Sequence, residues 1–385
     1  MEPEKIKRLK VMTILGTRPE IIRLSRVMAV LDLYSDHKIV HTGQNYDYEL
    51  NEIFFQDLQI RKPDIFLNVD ASSLGSLLGN IFISIERVLQ ERHPDAVLIL
   101  GDTNSSIAAI MAKRMKIPVY HMEAGNRCFD PNVPEETNRK IVDHISDFNL
   151  VYTEHARRHL LSEGVPHRRI YLTGSPMREV LDHYRAKIDS SDALNRLGLN
   201  SKRFILVSIH REENVDNKQN LQKLLEAFDG LHKQYDFPVV ISTHPRTRKR
   251  IEALKDYKPS KGLQFLKPFG FLDYNKLQMQ AFCVVSDSGT ISEESSILGF
   301  PAITARNAME RPEALDTGSI ILSGLEPDAV VRAVEVVTDQ FKRGLRAAIP
   351  NDYTIPNTSQ RVVNLILGTA KLSNLWDGLV LHDYN

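Results

Sequence analysis

This 385-residue chain has few cysteines, no net charge and no long apolar run. Only two cysteines occur, Cys128 and Cys283, and their wide separation fits neither a zinc site nor a redox pair. No apolar stretch approaches the ~20 residues of a membrane span, and the run 11–15 is too short for the core of a signal peptide. We therefore expect a cytoplasmic protein with reduced cysteines, no bound metal and no membrane partner.

The formal net charge is zero, because 49 lysines and arginines balance 49 aspartates and glutamates. This balance argues against a nucleic-acid partner, but two or three convergent cationic side chains would still suffice to bind a phosphate group. Hydrophobic residues make up 42% and charged residues 25%, which is ordinary for a globular protein. A chain of this length exceeds what one hydrophobic core usually serves, so we expect two domains.

The chain does contain a regular alternation of short apolar runs and helical patterns, which is typical of βαβ units around parallel sheets. It predicts two Rossmann-like domains, residues 1–185 and 186–385, with the segment from about 366 a candidate to pack back on the first domain. Ligands of such sheets bind beyond the carboxyl ends of the strands, so we expect a cleft between facing domains. The predicted strands are 9–15, 38–42, 96–100, 119–122, 150–152 and 170–172, then 204–209, 239–243, 263–266, 284–286, 302–304 and 320–322.

Two motifs follow predicted strands of the first domain. Gly16-Thr17-Arg18-Pro19-Glu20 lies at a strand-to-helix turn, where backbone amides and Arg18 favour an anion; the alternative is a tight turn with a solvated arginine. Its spacing is neither a Walker loop nor a dinucleotide fingerprint, which argues against an ATPase and a simple dehydrogenase. Asp102 follows a buried strand and is either a functional carboxylate or the N-cap of the next helix.

The stretch from His121 to His144 is dense in polar side chains and comes straight after a predicted strand. Glu123 stands at a strand end and Glu135 at a helix start, and two carboxylates brought together can take separate acid and base roles. The alternative is a loop of salt bridges with Arg127 and Arg139. No histidine or cysteine spacing here matches a zinc site.

The second domain repeats this placement. His210-Arg211 follows an apolar run, and His244 follows the next, where each is a candidate for the cleft or a structural residue. Ser288-Gly289-Thr290 opens a helix, and hydroxyls with a glycine there form a phosphate cradle. Glu294, about one turn into that helix, could accept both hydroxyls of a ribose, unless the helix is simply capped with exposed glutamates.

Together these motifs resemble the non-hydrolysing UDP-N-acetylglucosamine 2-epimerase family. The resemblance extends over nearly the whole chain, because several short motifs stand in the family's order. They are Gly16-Thr17-Arg18-Pro19-Glu20, Gly101-Asp102-Thr103, Glu123-Ala124-Gly125, Pro134-Glu135-Glu136, His210-Arg211, Asp287-Ser288-Gly289 and Glu310-Arg311-Pro312-Glu313. The implied fold class is α/β, with two Rossmann-like doubly wound domains facing a cleft in the glycosyltransferase-B fold.

The resemblance also implies residue roles. The implied catalytic residues are Asp102, Glu123, Glu135 and His210. The candidates for substrate binding are Arg18, Arg23, Arg139, Arg211, His244, Ser288, Gly289, Thr290, Glu294 and Arg311. In the family, removal of the carbon 2 proton accompanies loss of UDP from carbon 1, and UDP adds back after reprotonation on the opposite face. This chemistry implies a UDP-sugar substrate and no cofactor, and the family expectation is a homodimer.

Three departures from the family's common members bear on the sugar. Arg23 stands where a lysine is usual, and the loop 123–130 lacks the usual leucine-arginine form. The segment 44–50 replaces a glutamine-histidine pattern whose region binds an allosteric UDP-sugar in bacterial members. These variants look like the branch acting on UDP-2-acetamido-2,6-dideoxy-L-talose, which makes UDP-N-acetyl-L-fucosamine for capsule or O-antigen in lipopolysaccharide.

Three alternatives stay open at this point. The first is an epimerase for UDP-N-acetylglucosamine and UDP-N-acetylmannosamine, and the second is a glycosyltransferase, since this fold also serves sugar transfer. The third is a sugar-nucleotide sensor without catalysis. In a sensor, the carboxylates would be dispensable and the UDP-binding residues would not.

Overall fold

The computed structural model describes residues 7–43, 54–254 and 257–379. It divides into a first unit, residues 1–127, 133–181 and 355–385, and a second unit, residues 128–132 and 182–354. The division thus falls after Leu181, where the sequence had suggested 185, and the returning segment begins at Ile355 instead of near 366. The reason lies in Thr358, which donates 3.2 Å hydrogen bonds to two main-chain carbonyls of the first unit.

The first unit contains a parallel sheet with strand order β3-β2-β1-β4-β5-β6-β7 in the described residues. The order reverses between β1 and β4, which is where ligands of doubly wound sheets bind. The strands are β1 (Lys10–Leu15), β2 (Asp36–His41), β3 (Ile65–Phe66), β4 (Ala96–Leu100), β5 (Val119–Ala124), β6 (Phe148–Val151) and β7 (Ile170–Leu172).

Helices cover the first sheet because their apolar residues recur at helical spacing and are buried against the strands. Ser73 caps the longest of them by accepting a hydrogen bond from the Ser76 amide. The helices are α1 (Arg18–Tyr34), α2 (Leu74–Arg92), α3 (Ala109–Arg114), α4 (Pro134–Ile145) and α5 (Glu154–Ser162), with a returning helix at Thr358–Thr369 and a last turn at Ser373–Trp376. A further helix, Met177–Ser190, contributes residues to both units.

The second unit contains a parallel sheet with strand order β10-β9-β8-β11-β12-β13, which reverses between β8 and β11. Its strands are β8 (Ile205–Ser208), β9 (Val239–Ser242), β10 (Leu263–Leu266), β11 (Cys283–Ser286), β12 (Ala302–Thr304) and β13 (Ile321–Leu322). Its helices are Ala193–Arg196, Glu212–Val215, Lys218–Tyr235, Pro245–Glu252, Phe271–Gln280, Ile291–Leu298, Pro312–Asp316 and Pro327–Lys342. Continuous burial of strands such as Cys283–Ser286 reflects helices on both faces.

Each strand predicted from the sequence is present, with ends shifted by at most two residues. Strand β3 was not predicted, because two half-buried residues are too short to make a pattern. Segment 44–50, the region compared with the allosteric site, lies outside the described residues. None of the helices in the described ranges is both long and apolar enough to cross a membrane.

Candidate active site

The turn between β1 and α1 is closed by a side chain of its own motif. Glu20 Oε2 accepts hydrogen bonds from the amides of Gly16 at 2.8 Å and Thr17 at 2.6 Å, and from the Thr17 hydroxyl at 2.8 Å. This is a capping box, in which the glutamate three residues after the N-cap satisfies amides at the helix start. The amides of Gly16 and Thr17 are therefore not available to a phosphate, since a carboxylate already occupies them, and the predicted anion contact at this turn stays a prediction for Arg18.

The second oxygen of Glu20 joins this turn to the one after β4. Oε1 accepts hydrogen bonds from the hydroxyls of Thr103, at 3.1 Å, and Ser105. Glu20 is 1% exposed, and burial raises its pKa above 4.5 although the hydrogen bonds from Ser105, Gly16 and Thr17 lower it. Glu20 thus links the turn after β1 to the turn after β4.

Arg18 begins α1 and remains a candidate for an anion contact. Its guanidinium lies 5.7 Å from the centre of the Phe54 ring, within cation–π range. The side chain is partly buried. The position is separate from the amides that Glu20 occupies.

Asp102 lies directly after β4 and is held by an arginine. Its Oδ2 accepts hydrogen bonds from Arg139 Nε at 3.0 Å and from Arg139 Nη2. The Arg139 Nη1 atom donates to Glu136 at 2.5 Å, so one guanidinium joins two carboxylates. Thr103, not Asp102, is the N-cap of the following 3₁₀ turn, so the capping interpretation of Asp102 is wrong. The Asp102 side chain is 25% exposed and can meet a ligand.

Glu123 is the second carboxylate at this edge, and it pairs with Arg23 of α1. Its φ of +66° is rare for a residue with a side chain, and the register of β5 against β6 shifts between Met122 and Ala124. Such a bulge at a strand end re-aims a side chain, a feature common at functional sites. A Cβ atom placed on Gly101 would lie 3.6 Å from Glu123 Oε2, so Glu123 lies beside the turn that carries Asp102.

A buried ion network lies among the charged residues that follow β5. His121 Nε2 lies 2.8 Å from the Gly101 carbonyl oxygen, and its Nδ1 lies 2.9 Å from Asp143 Oδ1. Asp143 also pairs with Arg127 at 2.7 Å, and Arg127 donates to Glu163. The salt-bridge interpretation of Arg127 is therefore confirmed, and the network supports the turn before Asp102.

Glu135 is the second residue of α4, and its side chain is partly buried. The neighbouring Glu136 is 3% exposed and is the glutamate that pairs with Arg139. The structure therefore brings Asp102, Glu123 and the start of α4 to the same unit, with Asp102 and Glu123 at the ends of adjacent strands.

In the second unit, His210 follows β8 and lies against Asp287, which follows β11. Asp287 is fully buried, and its oxygens accept from the His210 amide at 3.1 Å and the Arg211 amide at 3.0 Å. His210 Nδ1 lies 3.1 Å from Asp287 Oδ1, while the His210 side chain is 51% exposed. The histidine is thus anchored on one edge and open on the other.

The loop before helix Ile291–Leu298 rests on a cluster of charges. Arg211 Nη2 donates to Glu310 Oε1 at 2.7 Å, and Arg306 donates to Glu310 Oε2 at 2.6 Å. A Cβ atom on Gly289 would approach Glu310 Oε1 to 2.6 Å, so only glycine fits above this pair without displacing it. The hydroxyls of Ser288 and Thr290 lie 2.9 Å apart beside it.

Other predicted ligand contacts of the second unit differ in exposure. Glu294 is 7% exposed, and its carboxylate is held by a hydrogen bond from Gln278 Nε2 at 2.6 Å. His244 caps helix Pro245–Glu252 and is partly buried. Arg311 is 1% exposed, with Nη1 3.2 Å from Glu293 Oε1, so its guanidinium lies in the interior of its unit, and its role in substrate binding stays a prediction.

Comparison with known proteins decides the family. Residues 32–367 match the family described as UDP-N-acetylglucosamine 2-epimerase. The chain belongs to this family. A structure named UDP-N-acetylglucosamine 2-epimerase from Rickettsia bellii is 46% identical, with a TM-score of 0.89 over 96% of this chain and 100% of that one.

A second structure of the family, from Methanocaldococcus jannaschii in complex with UDP-GlcNAc and UDP, is 34% identical, with a TM-score of 0.86 over 93% of this chain and 99% of that one. A Pseudomonas aeruginosa relative, UDP-2,3-diacetamido-2,3-dideoxy-D-glucuronate 2-epimerase, is 35% identical over 84% of this chain and 91% of its own. The predicted glycosyltransferase-B-like fold is thus confirmed, and so is epimerase activity on UDP-sugars.

Sequence reasoning missed several of the side-chain contacts around these motifs. The capping role of Glu20 had a local signal, since threonine and glutamate stand three positions apart before an apolar run. The partners of Asp143 and Glu310 had no such signal, because they come from distant parts of the chain, although Glu310 itself stands in the motif Glu310-Arg311-Pro312-Glu313. No group of three histidine, cysteine, aspartate or glutamate side chains in the described part of the chain is placed to hold a metal ion.

Proposed function

We propose that this UDP-sugar 2-epimerase inverts carbon 2 of a UDP-2-acetamido sugar with Asp102, Glu123 and Glu135 as its acid/base carboxylates. His210 assists from the second unit. UDP binds near Ser288, Gly289 and Thr290, and Glu294 takes the ribose hydroxyls.

The chemistry requires no oxidant and no cofactor. A carboxylate takes the proton from carbon 2, and the electron pair of that bond forms the carbon 1–carbon 2 double bond while UDP leaves with the pair of the carbon 1–oxygen bond. A carboxylic acid then returns a proton to the other face of carbon 2, and the UDP oxygen bonds again to carbon 1. The starting and final states of the enzyme differ only in which carboxylate carries the proton.

The observation that most strongly supports these acid/base roles is the pair of carboxylates at the ends of β4 and β5, each fixed by its own arginine. Arg139 holds Asp102, and Arg23 holds Glu123. An ion pair holds a carboxylate in one orientation, which suits a group that must meet the carbon 2 proton at a fixed position. The bulge at Glu123 supports its role as an acid/base carboxylate, because residues with strained backbone cluster at functional sites.

The UDP assignment is supported by the loop that follows β11. Hydroxyls of Ser288 and Thr290 stand at the start of helix Ile291–Leu298, and the helix N-terminus favours an anion. Glu294 lies one turn further, where burial and Gln278 fix its carboxylate. As the carbon 1–oxygen bond breaks, donors at this loop stabilise the growing charge on the diphosphate.

For the sugar, we propose UDP-2-acetamido-2,6-dideoxy-L-talose, converted to UDP-N-acetyl-L-fucosamine for capsule or O-antigen. Arg23 and the loop 123–130 support it, because they depart from the common form of the family around the carboxylate Glu123. A second candidate is UDP-N-acetylglucosamine, supported by the names of the Rickettsia bellii and Methanocaldococcus jannaschii proteins.

The experiment incubates the pure protein with each candidate UDP-sugar in deuterated water and follows carbon 2 by NMR. We expect deuterium at carbon 2 and a mixture of the two epimers, fastest with the talose substrate. Faster exchange with UDP-N-acetylglucosamine would select the second candidate. Absence of exchange with every candidate, together with transfer to a glycan acceptor, would establish a glycosyltransferase and overturn the proposal. Binding without exchange or transfer would indicate a sensor.

A variant tests the role of Asp102 in the same assay. Asp102→Asn keeps the shape and loses the base, so we expect turnover to fall by about 10²–10⁴-fold with UDP binding largely kept. Asp192→Asn, at an exposed aspartate of the second unit, is the matched control. An equal loss of binding and turnover in Asp102→Asn would make Asp102 a structural residue.

The proposal also includes a homodimer in the cytoplasm, as the family resemblance leads us to expect. Light scattering of the purified chain measures the dimer directly. A monomer at working concentration would remove this part of the proposal without affecting the chemistry.

A further inference from the structure

We propose that Asp287 is a positioning residue that fixes the tautomer of His210, so that Nδ1 carries a hydrogen and Nε2 is the atom left to accept a proton. The inference rests on the proposed catalytic role of His210. It concerns a residue of the second unit that stands outside the acid/base carboxylates.

The first support is the position of Asp287 in the sheet. It follows β11, which is paired with β8, and its amide donates to the Ser208 carbonyl at 3.1 Å. His210 comes two residues after Ser208, so the two side chains meet where the strand order reverses. The contact joins residues 77 positions apart and is built into the sheet.

The second support is the set of groups that surround the carboxylate. Both oxygens of Asp287 lie 3.1 Å from the His210 amide, and Oδ2 also accepts from the Arg211 amide and from Asn214 Nδ2, each at 3.0 Å. All of these groups are N–H donors. A carboxylate held by several donors keeps both oxygens in place and has little freedom to rotate.

The third support is the charge of Asp287. Burial raises its pKa, but the electrostatic interaction with His210 and the hydrogen bonds from His210, Arg211 and Asn214 outweigh burial, so the pKa is lowered from 3.8. An ionised carboxylate can only accept hydrogen bonds. At neutral pH the Nδ1 atom, 3.1 Å away, must therefore be the one that donates.

The consequence for His210 follows from the two nitrogens of its ring. A neutral imidazole with a hydrogen on Nδ1 has its lone pair on Nε2. Nδ1 faces the buried carboxylate, whereas the side chain is 51% exposed, so the Nε2 edge is the open one. Nε2 can then take a proton from water and, as an imidazolium, donate a hydrogen bond to an oxygen of the departing diphosphate, and it returns the proton to water after UDP has bonded again to carbon 1.

If Asp287 only anchored the two amides, Asp287→Asn would leave the tautomer of His210 unchanged. Anchoring of the amides needs only an oxygen acceptor, which an asparagine retains. The proposal predicts a different outcome. In Asp287→Asn the amide oxygen can take the Oδ2 position and its NH₂ group the Oδ1 position, beside Nδ1. That NH₂ group donates to Nδ1 and moves the histidine hydrogen to Nε2, which reverses the tautomer.

The experiment measures ¹⁵N chemical shifts of histidine-labelled full-length protein, at a pH where the imidazole is neutral. His210→Asn identifies the His210 signals by their disappearance. We expect the Nδ1–H tautomer in the parent protein and the Nε2–H tautomer in Asp287→Asn. Asn214→Ala removes another donor to the same carboxylate but leaves the Nδ1 contact, so its tautomer should match that of the parent.

Kinetics complete the test. We expect Asp287→Asn to lower kcat by about 10²–10⁴-fold with KM changed much less, as for an aspartate that orients a catalytic histidine. The Nε2–H tautomer in the parent protein would overturn the inference without recourse to any variant, and so would an unchanged tautomer in Asp287→Asn. Full turnover by His210→Asn would instead remove the catalytic role of His210 from the proposed function, while the tautomer result would stand separately.

Discussion

Replacement of Glu20 tests whether the crevice between β1 and β4 is stabilised by a buried charge or by the shape and hydrogen bonds of the side chain. The carboxylate accepts from two amides and three hydroxyls and is 1% exposed. Glu20→Ala leaves the amides of Gly16 and Thr17 buried without an acceptor, at about 1–3 kcal/mol each. We expect a loss of about 3–5 kcal/mol in the free energy of unfolding.

Glu20→Gln separates charge from shape. Its amide oxygen can accept from Gly16 and Thr17, and its NH₂ group can donate to the hydroxyls of Thr103 and Ser105 after they rotate. The loss of charge-assisted bonds is offset by relief from burying a charge, which is what raises the pKa of Glu20. We therefore expect Glu20→Gln to stay within about 2 kcal/mol of the parent at neutral pH.

The free energy of unfolding should also depend on pH differently in the parent and in Glu20→Gln. Because the pKa of Glu20 is raised by folding, the folded parent binds more protons than the unfolded chain between pH 4.5 and the raised value. The Glu20 contribution to the stability of the parent therefore increases as the pH falls through this window, and Glu20→Gln lacks it. Urea unfolding followed by circular dichroism from pH 4 to 8 measures both variants. If Glu20→Gln is as unstable as Glu20→Ala at neutral pH, the charge is essential and our reasoning is wrong.

Three further changes test other parts of the fold. Burial lowers the pKa of His41 from 6.5 to about 4. As the pH falls from 6.5 to 4, the parent should therefore lose about 3 kcal/mol of its free energy of unfolding relative to His41→Asn, as measured by urea unfolding at each pH. Gly125→Ala should destabilise by more than about 3 kcal/mol in thermal unfolding, because its Cβ would lie 2.4 Å from the Ala156 carbonyl oxygen at a φ of +79°. Tyr353→Phe removes the 2.5 Å hydrogen bond to buried Glu313, and we expect a loss of about 1–3 kcal/mol in urea unfolding.

Each of these changes has a comparison that isolates its cause. His167→Asn alters an exposed histidine and should leave the acid limb of the stability curve unchanged. Gly164→Ala has a φ of +85° but no atom within 4 Å of the added Cβ, so it measures the backbone term alone. A similar loss for Gly125→Ala and Gly164→Ala would show that the contact with Ala156 is unimportant. An unchanged midpoint for Tyr353→Phe would show that Glu313 does not need its donor.

The sequence by itself determined the strands, their order of occurrence and the family. Strands such as Ala96–Leu100 are continuous apolar runs bounded by glycine or polar residues, and both signals are local. The short motifs also lie within a few residues of each strand end, so Asp102 and His210 could be placed at the carboxyl edges before any contact was known. Even the capping box of Glu20 was readable, because a helix cap depends on neighbours in sequence.

Only the tertiary structure decided which partner each of these side chains has. Arg23 and Glu123 are 100 positions apart, and His210 and Asp287 are 77 apart, so no local pattern could pair them. The contact of buried Arg311 with Glu293 likewise joins two different elements, which the motif Glu310-Arg311-Pro312-Glu313 alone could not show. Apolar periodicity fixes where a strand runs, because burial is a property of each residue, whereas an ion pair is a property of two positions that only the folded sheet brings together.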